Sequence, residues 1–428
     1  MIHNHIKKAF LLIGIASFHL ITEAQNVVTP GNVPDELQLN TITTAVPFLM
    51  ISPDSRSGAM GDVGVATSPD ANSIHWNPSK LAFIEGEGGV SLTYSPWLRN
   101  LVGDINLSYL SGYKRINRIS TVGGSLRYFS LGEITFTDDQ GNTIGNFTPN
   151  EWALDVAYGM QLNSQFSFGM ALRYIHSNLT NGITVQGQDT RPGRSVAADV
   201  SAYYRNEDIQ VGDYDAVLSA GISISNIGAK MSYTDNDQSD FLPTNLRIGP
   251  SLDLQLDEYN SLMFTVEASK LLVPTPPIYE RDSTGTIVTN DAGEPQILAG
   301  SDPDASVTSG IFQSFGDAPG RVEGFDASGN PLIEPGSVMR EELNEITLSA
   351  GLEYWYDKQF AVRMGYFYEN PTKGNRRYFT MGLGLKLTVF AFDVSYLVGN
   401  VQQNPLANTV RFSLKFNFDD FGAQNEEP

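Results

Sequence analysis

The chain has 428 residues, of which 41% are hydrophobic and 18% charged, and its formal net charge is −21. It contains no cysteine, so a disulfide scaffold, a thiolate metal site and a thiol nucleophile are excluded. The acidic balance also argues against nucleic-acid binding, because a surface that follows phosphates needs excess positive charge.

The first 24 residues have the pattern of a secretory signal peptide. Lys7 and Lys8 precede the apolar run 9–21, and small residues lie before the expected cleavage after Ala24. A short buried helix is the alternative. The run is too short for a membrane helix, which needs about 20 apolar residues, and nothing later in the chain is long enough. The sequence therefore predicts an exported chain that is soluble or held in a membrane by strands.

From residue 89 onward, apolar and polar residues alternate. The segment 409–418, for example, has apolar side chains at every second position, which puts them on one face of a strand. Fourteen such segments can be counted. We place them at residues 89–96, 102–112, 120–131, 151–161, 165–177, 194–206, 216–226, 244–256, 261–271, 344–356, 359–369, 376–387, 389–399 and 408–418.

Strand length, aromatic positions and loop length favour a membrane barrel over a secreted soluble β protein, which is the alternative. Most segments reach about ten residues, enough to cross a membrane, and aromatic clusters lie near their ends. The connections after even-numbered strands are short and most of the others are long; those after strands 1, 11 and 13 are expected to break this trend. The sequence thus predicts an all-β fold, a 14-stranded antiparallel transmembrane β-barrel in a bacterial outer membrane, with periplasmic turns and long extracellular loops.

The predicted organisation has four parts: the signal peptide 1–24, a plug or periplasmic segment 25–88, the barrel 89–418 and a periplasmic tail 419–428. Both ends of the mature chain are expected in the periplasm. Residues 25–88 do not alternate, and the apolar run 46–51 does not suit a solvated tail. A lumen enclosed by fourteen strands is too wide for wall side chains to fill. We therefore expect a plug, with a periplasmic extension as the alternative.

Charged residues of the predicted strands fall on the face opposite the apolar one. Because both signs occur, we expect ion pairs within the lumen and with the plug rather than a charged conduction path. These residues are Arg127, Asp155, Arg173, Asp199, Arg205, Arg247, Asp253, Glu267, Glu353, Arg363, Asp393, Arg411 and Lys415.

Two motifs in the predicted plug resemble the N-terminal signature of FadL-type outer-membrane transporters. A glycine-rich run at 56–66 is followed by Asn77-Pro-Ser-Lys-Leu81, which is similar to the Asn-Pro-Ala-Gly-Leu motif of that superfamily but differs at Ser79 and Lys80. Within the superfamily, residues from about 40 to 418 most resemble the PorV family, the outer-membrane barrels of the type IX secretion system.

The resemblance implies a FadL-type barrel with a plug, without enzymatic activity or a cofactor. It implies a carrier that meets cargo at a large outer-membrane translocon barrel, binds the cargo's C-terminal signal domain and passes it to a surface attachment complex. Membrane lipids and lipopolysaccharide are further expected contacts. The alternative is a FadL-like channel for fatty acids or other hydrophobic small molecules, which needs an apolar pocket formed by residues such as Phe48, Leu49, Met50 and Trp76.

The candidate plug and gate residues have two interpretations, gating and plain packing, and the sequence leaves both open. Gly58, Gly61 and Gly64 are spaced by three, which differs from the dinucleotide-binding fingerprint. Asn77 precedes a proline, and a residue in that position avoids the helical backbone region, which indicates a turn. The candidates are Gly58, Gly61, Gly64, His75, Trp76, Asn77 and Pro78.

The connection 272–343 is predicted to be an extracellular loop whose composition favours mobility. Its apolar residues Ile311, Phe312 and Phe315 suggest a partner surface, and we predict that they contact cargo. The connections 132–150, 178–193 and 227–243 would complete this docking face. A loop folded over its own barrel mouth is the alternative.

Enzymatic and metal sites are weakly indicated. His75 and His176 are the only histidines after residue 24, and no metalloprotease, nucleophile-elbow or P-loop motif occurs. A Ser-His-Asp site assembled in three dimensions, as in a lipid hydrolase, is the alternative. Asp235, Asp237 and Asp240 could bind Ca²⁺, but acidic residues are common in loops, so no metal site is predicted.

Overall fold

The computed structural model describes residues 39–418 except 99–102, 138–139, 141–142, 181, 183, 186–187, 235–238, 283, 292, 327–329 and 400–405. The predicted signal peptide and C-terminal tail lie outside these described residues.

The described chain forms a closed barrel of fourteen strands, each antiparallel to its neighbours in chain order, and the last strand pairs with the first. This confirms the predicted 14-stranded antiparallel fold. The strands are β1 Gly88–Pro96, β2 Asn106–Asn117, β3 Ser120–Ser130, β4 Asn150–Gln161, β5 Phe166–Asn178, β6 Gly193–Val211, β7 Tyr214–Gly228, β8 Asn245–Gln255, β9 Asn260–Leu271, β10 Thr347–Tyr356, β11 Phe360–Tyr368, β12 Arg377–Lys386, β13 Phe390–Gly399 and β14 Val410–Asn417.

Strand pairing aligns the apolar side chains into an outward-facing belt. Leu92 of β1 is opposite Leu110, which is opposite Leu126, and that residue is opposite Leu154. All four side chains are exposed on the outer surface. Such a belt is the surface that a barrel presents to hydrocarbon.

The inward face of the first strands carries small polar side chains instead. Ser91, Ser111 and Ser125 align across β1, β2 and β3, and all three are buried. Small inward residues leave the lumen open to other parts of the chain. Residues 39–87, here called the internal segment, occupy it.

The internal segment runs along the whole lumen. At one end, the Asn40 backbone N–H donates to the Thr372 carbonyl, in the connection between β11 and β12. At the other, the Arg115 N–H of β2 donates to the Glu87 carbonyl just before β1 begins. Its short elements are 3₁₀ helices at Pro47–Met50 and Pro78–Phe83 and α-helices at Ser55–Gly58 and Ser73–Trp76.

Residue 39 therefore lies at the opposite end of the barrel from Phe418, which bonds to Gly88 at the end where β1 begins. The expected periplasmic location of both chain ends concerns residues outside the described part of the chain and stays a prediction. A segment that reaches β1 only after crossing the lumen was not anticipated, because alternation carries no information about residues 39–87.

The two ends of the barrel differ in their connections. Turns of two to four residues follow the even-numbered strands up to β12, at 118–119, 162–165, 212–213, 256–259, 357–359 and 387–389. Every connection after an odd-numbered strand has eight residues or more. The expectation that the connections after strands 1, 11 and 13 would break this alternation is wrong. They span 97–105, 369–376 and 400–409, because β2 begins four residues later than predicted and β11, β12 and β14 are shorter than predicted.

The connection 272–346 is the longest, and it has secondary structure of its own. Its elements are a hairpin of Ile278–Tyr279 with Ile297–Ala299, a helix Val307–Gln313, a hairpin of Val322–Phe325 with Pro331–Ile333, and a helix Ser337–Asn344. Shorter connections contain paired strands Ile134–Thr137 with Thr143–Phe147 and Thr184–Val185 with Gln188–Asp189, and a 3₁₀ helix Pro371–Lys373. Within the described ranges, no helix has the length and apolar character needed to cross a membrane.

Candidate functional site

A closed ring of six alternating charges joins the internal segment to the barrel wall. Arg56 binds Glu353 (2.7 Å), which binds Arg363 (2.5 Å), which binds Asp393 (2.6 Å). The ring continues from Asp393 to Lys415 and on to Asp70, each step 3.1 Å long, and closes from Asp70 to Arg56 at 3.7 Å. We call these six residues the charge ring.

Other inward charges pair as well, which confirms the predicted lumen ion pairs. Arg173 bridges Asp155 (2.6 Å) and Asp199 (3.1 Å). Arg247 lies 3.4 Å from Glu267, while Arg411 is 3.6 Å from Asp62 of the internal segment, and Arg205 binds Glu207. Asp253 makes no salt bridge within the described part of the chain.

Arg127 binds the internal segment without a carboxylate partner. Its guanidinium donates to the carbonyls of Phe48 and Leu49 and to Nδ1 of His75 at 2.6 Å. Because an arginine side chain only donates, Nδ1 of His75 accepts, and the imidazole proton resides on Nε2. The buried His75 ring is therefore in its neutral form. The ring packs edge-on against Trp76, with centroids 4.7 Å apart.

Trp76 and Asn77 fasten distant parts of the internal segment together. The Trp76 indole N–H donates to Asp54 at 2.7 Å. The Asn77 amide donates to the carbonyls of Val65 (2.9 Å) and Ala202 of β6 (3.2 Å), and its oxygen accepts from the Ser79 N–H. Asn77 thus caps the 3₁₀ helix that begins at Pro78.

The two positions that differ from the FadL-type motif make specific contacts. Ser79 donates its backbone N–H to the Ser201 hydroxyl of β6 at 3.0 Å. Lys80, fully buried, donates through Nζ to the Gly64 carbonyl (2.7 Å) and the Thr67 hydroxyl (2.9 Å). Lys80 therefore connects the two motifs of the internal segment.

The candidate glycines lie where a side chain has no room. Gly61 has φ +72°, and a Cβ there would lie 2.6 Å from the Tyr366 carbonyl of β11. A Cβ on Gly64 would overlap the Trp76 ring, and one on Gly58 would overlap the Arg411 guanidinium. All seven candidates thus occupy packed positions, while a role in gating stays a prediction.

Inward-facing glycines of the wall are part of the site that the sequence analysis missed. A Cβ on Gly159 of β4 or Gly169 of β5 would overlap residues 78–82, and one on Gly221 of β7 would overlap Val65. A Cβ on Gly351 or on Gly365 would likewise overlap Met60. The pattern could have been found by asking which glycines fall on the inward positions of the strands.

Cavities remain beside the internal segment. One, of about 320 Å³, lies toward the long connections and is lined by Met50, Trp76, Arg247, Glu267 and Arg376, among others. Phe48 and Leu49 do not line it, because they pack in a core with Trp97, Leu107 and Phe129. Of the four residues proposed for an apolar pocket, Met50 and Trp76 therefore line this cavity together, whereas Phe48 and Leu49 do not.

The second cavity, of about 470 Å³, lies toward the short turns. It is bordered by five residues of the charge ring, all except Glu353, together with Arg205, Asp253, Lys358 and Lys386. Both cavities thus have charged groups of both signs in their linings, which does not suit a purely apolar ligand, although the first is also lined by apolar side chains such as Ile42, Leu271 and Phe367.

The predicted cargo-contact residues lie in and beside the helix Val307–Gln313. Phe312 is 74% exposed and Phe315 is 55% exposed, whereas Ile311 is half-buried. The helix is supported at Gly310, which lies against the Phe241 ring of the connection between β7 and β8. The loop thus presents two large aromatic side chains to its surroundings.

Five charged residues fix the end of this connection to the barrel rim. Lys270 at the end of β9 binds Glu342 (3.2 Å) and Glu345 (2.5 Å). Lys373 binds Glu341 (2.7 Å) and Glu345 (2.9 Å). We call these five residues the rim cluster.

Asp317 supports the rim cluster from within the connection. Its carboxylate accepts from the Thr275 N–H at 3.1 Å. Burial raises the pKa of Asp317, the Thr275 hydrogen bonds oppose this change, and the nearby Glu345 and Glu342 carboxylates raise the pKa further.

A metal site is not apparent in the described ranges, where no group of three or more His, Cys, Asp or Glu side chains is arranged to hold an ion. Asp235 and Asp237, considered as Ca²⁺ ligands, lie outside the described residues. Asp240 pairs through its backbone with Met231.

Several solved barrels are similar in outline. The toluene transporter TbuX of Ralstonia pickettii has 12% identity, with 85% of this chain and 97% of that one covered and a TM-score of 0.44. The toluene transporter TodX of Pseudomonas putida has 10% identity, 85% and 98% coverage and a TM-score of 0.46. A FadL homologue of Pseudomonas aeruginosa has 11% identity, 89% and 99% coverage and a TM-score of 0.43. Because these identities and TM-scores are low, we assign the fold from the strand pairing within this chain and not from the similarities.

The fold and lumen define a class: an outer-membrane β-barrel protein whose interior is occupied by its own N-terminal segment. A more specific assignment comes from the sequence. The family model described as type IX secretion system protein PorV matches residues 34–278, more than half of the chain. The chain therefore belongs to the PorV family. No curated protein sequence matches it.

Proposed function

We propose that this protein is a non-enzymatic carrier of the type IX secretion system. It binds exported cargo through the cargo's C-terminal signal domain, after the cargo leaves a large translocon barrel, and passes it to a surface attachment complex. The long connections face the outside of the cell in this proposal, and the short turns face the periplasm.

A structural observation supports this proposal in addition to family membership. The lumen is filled by a segment held by buried ion pairs, while large apolar side chains are exposed on the connection 272–346. Exposed aromatic groups such as Phe312 and Phe315 are typical of protein-binding surfaces. A carrier binds through such a surface, whereas a small-molecule channel binds through its lumen. The charged linings of both cavities do not favour the FadL-like alternative.

The test measures binding of a purified C-terminal signal domain, taken from a secreted substrate, to the protein in lipid nanodiscs. Phe312→Ser/Phe315→Ser should weaken binding at least tenfold, because both side chains are exposed on the connection. Tyr259→Ser removes a half-exposed aromatic group from a short turn at the opposite end and should leave affinity unchanged.

Deletion of residues 280–335 should abolish binding while the barrel stays resistant to heat on a semi-native gel. The deletion spares the rim cluster and Thr275. Undiminished binding by the deletion variant, or binding of fatty acids instead of the signal domain by the intact protein, would contradict the carrier function.

A further inference from the structure

Strand β6 has 19 residues, more than any other strand of the barrel, and within the described part of the chain its last residues have a neighbour on one side only. On the β5 side, the final backbone bond runs from the Arg205 N–H to the Gln165 carbonyl. On the β7 side, pairing continues to Val211, next to the turn. The next longest overhang at this end of the described barrel, residues 115–117 of β2, has three residues. Residues 206–211, here called the β6 edge, therefore form an open strand edge about 20 Å long.

The turn after β6 fixes which backbone groups face the open side. Gly212 and Asp213 form a two-residue turn, with φ +65° at Gly212, and the residues that flank such a turn bond to each other across it. Successive residues of an antiparallel strand direct their backbone groups to alternate sides, so Gln210 directs its N–H and C=O away from β7. The β6 edge thus offers a donor and an acceptor to an added strand.

The β6 edge lies beyond the membrane-spanning part of the wall. Tyr204 and Phe166 are the last paired residues of β6 and β5 at this end, and their rings are 4.8 Å apart. Aromatic residues at strand ends mark the level of the membrane interface. The edge begins two residues after Tyr204, and Glu207, Asp208 and Gln210 are exposed. A polypeptide can therefore reach it from the aqueous side.

The hairpin that ends β6 is acidic. Residues 205–215 contain one cation, Arg205, which binds Glu207 at 2.7 Å. Because β7 and β8 pair as far as Gln255, the turn 256–259 lies beside this hairpin and adds two further acids. The six acids are Glu207, Asp208, Asp213, Asp215, Asp257 and Glu258. An occupant of the β6 edge therefore needs positive charge.

A second copy of this chain does not fit the β6 edge, because pairing two such edges would put carboxylates opposite carboxylates. The irregular pairing between Asn206 and Ile209, together with the acidic side chains, is the kind of feature that keeps strand edges from pairing with themselves. Residues 209–211 pair regularly with β7, so a strand of opposite charge finds a regular edge there.

We propose that the β6 edge docks an extended polypeptide segment rich in Lys and Arg, which adds to the barrel as a further strand beside β6. Main-chain hydrogen bonds hold such a strand, and its basic side chains meet the acids of the hairpin and the neighbouring turn. The partner differs from the cargo's signal domain, and the site is at the opposite end of the barrel from the connection 272–346. Docking at the β6 edge is therefore independent of cargo binding. In the orientation proposed above, the partner is a periplasmic protein.

The experiment uses the protein in phosphatidylcholine nanodiscs and, as the probe, a fluorescent eight-residue peptide of alternating Lys and Val. Gln210→Pro removes a backbone donor from the edge and should weaken binding at least about tenfold. It should retain the heat-resistant barrel band, since proline is tolerated where the N–H faces solvent. The same peptide N-methylated at every residue keeps its charges but donates no backbone hydrogen bond, and the wild type should bind it at least about tenfold more weakly.

A second pair of variants tests the charges. Asp208→Asn/Asp213→Asn should weaken binding of the peptide severalfold, because two carboxylates beside the added strand are lost. Asp291→Asn/Glu323→Gln is the matched control, since it removes two exposed acids from the connection 272–346 at the other end. It should leave the affinity for the peptide unchanged.

Each contrary result has a distinct meaning. Failure of the wild type to bind the peptide would overturn docking at the β6 edge, while signal-domain binding at the other end would still support the carrier function. Equal binding of the N-methylated peptide would show charge attraction without strand pairing and would also overturn it. An equal loss in the control variant would place the binding elsewhere. A wild-type dimer that Gln210→Pro dissociates would assign the edge to a second copy of this chain.

Discussion

Arg56 of the internal segment and Glu353 of β10 form a two-pronged ion pair inside the barrel, with Nε to Oε2 at 2.9 Å and Nη2 to Oε1 at 2.7 Å. Both side chains are buried, and the pair is one side of the charge ring. Planar matching of a guanidinium with a carboxylate fixes orientation as well as distance. The pair therefore holds the internal segment at one height and one rotation relative to the wall.

Glu353→Gln should destabilise the folded barrel by about 3–5 kcal/mol, because the charge ring would keep three cations but only two carboxylates, which leaves one buried positive charge uncompensated. The expected readout is a lower temperature for loss of the compact band on a semi-native gel. Lys114→Met breaks an exposed pair with Glu87 and should change stability by no more than about 1 kcal/mol. Equal effects of the two variants would show that the charge ring stabilises the barrel no more than an exposed ion pair does.

Gly365→Ala should displace the internal segment, because the added Cβ would overlap the Met60 and Gly61 backbone. Backbone atoms cannot move aside as a flexible side chain can. We expect faster protease cleavage within residues 39–87 while the strands remain protected. Gly324→Ala, where nothing lies within 4 Å, is the control and should be cleaved at the wild-type rate. Unchanged cleavage of both variants would contradict the close contact.

Leu39→Cys should react with a membrane-impermeant maleimide on intact cells. Leu39 is 69% exposed, and it precedes Asn40, which bonds to the long-connection end of the barrel. Thr284→Cys in the long connection should react equally, and Glu258→Cys in a short turn only after lysis. The absence of native cysteine makes each label specific. Labelling of Glu258→Cys alone on intact cells would reverse the proposed orientation.

Lys270→Met should release the helix Ser337–Asn344 from the rim, since Glu342 loses its lysine partner and Glu345 keeps only Lys373. The measurement is limited proteolysis across 272–346, which should become at least several times faster. Arg340→Met lies on the same helix but breaks only an exposed pair with Glu334. It should leave the cleavage rate unchanged, and a wild-type rate in the Lys270 variant would argue against the rim cluster.

Much of the barrel could be predicted from the sequence because its signal is local. A strand places successive side chains on opposite faces, so residues such as Val410 and Arg411 reveal two surfaces without any knowledge of their neighbours. The same alternation identified the charged side chains that point into the lumen, including Glu353 and Arg363. It did not identify their partners, since pairing depends on which strands become adjacent and where the internal segment lies.

Contacts over long sequence distances explain the rest. Arg56 meets Glu353 across 297 positions, and Asp70 meets Lys415 across 345. Alternation says nothing about residues 39–87, which have no strand, so the direction in which they cross the lumen had no local signal. The orientation of the helix Ser337–Asn344 could not be predicted either. Its acidic side faces the barrel because of Lys270 and Lys373, and no pattern within the helix indicates this.

The sequence by itself determined the strand count, the antiparallel order and the face on which each wall side chain lies, because these follow from a period of two and from turn length. Only the tertiary structure decided how the lumen is filled, which wall glycines receive the internal segment, and which apolar surface remains open. Those features require backbone and charge to meet across the closed barrel, and closure is a property of all fourteen strands together.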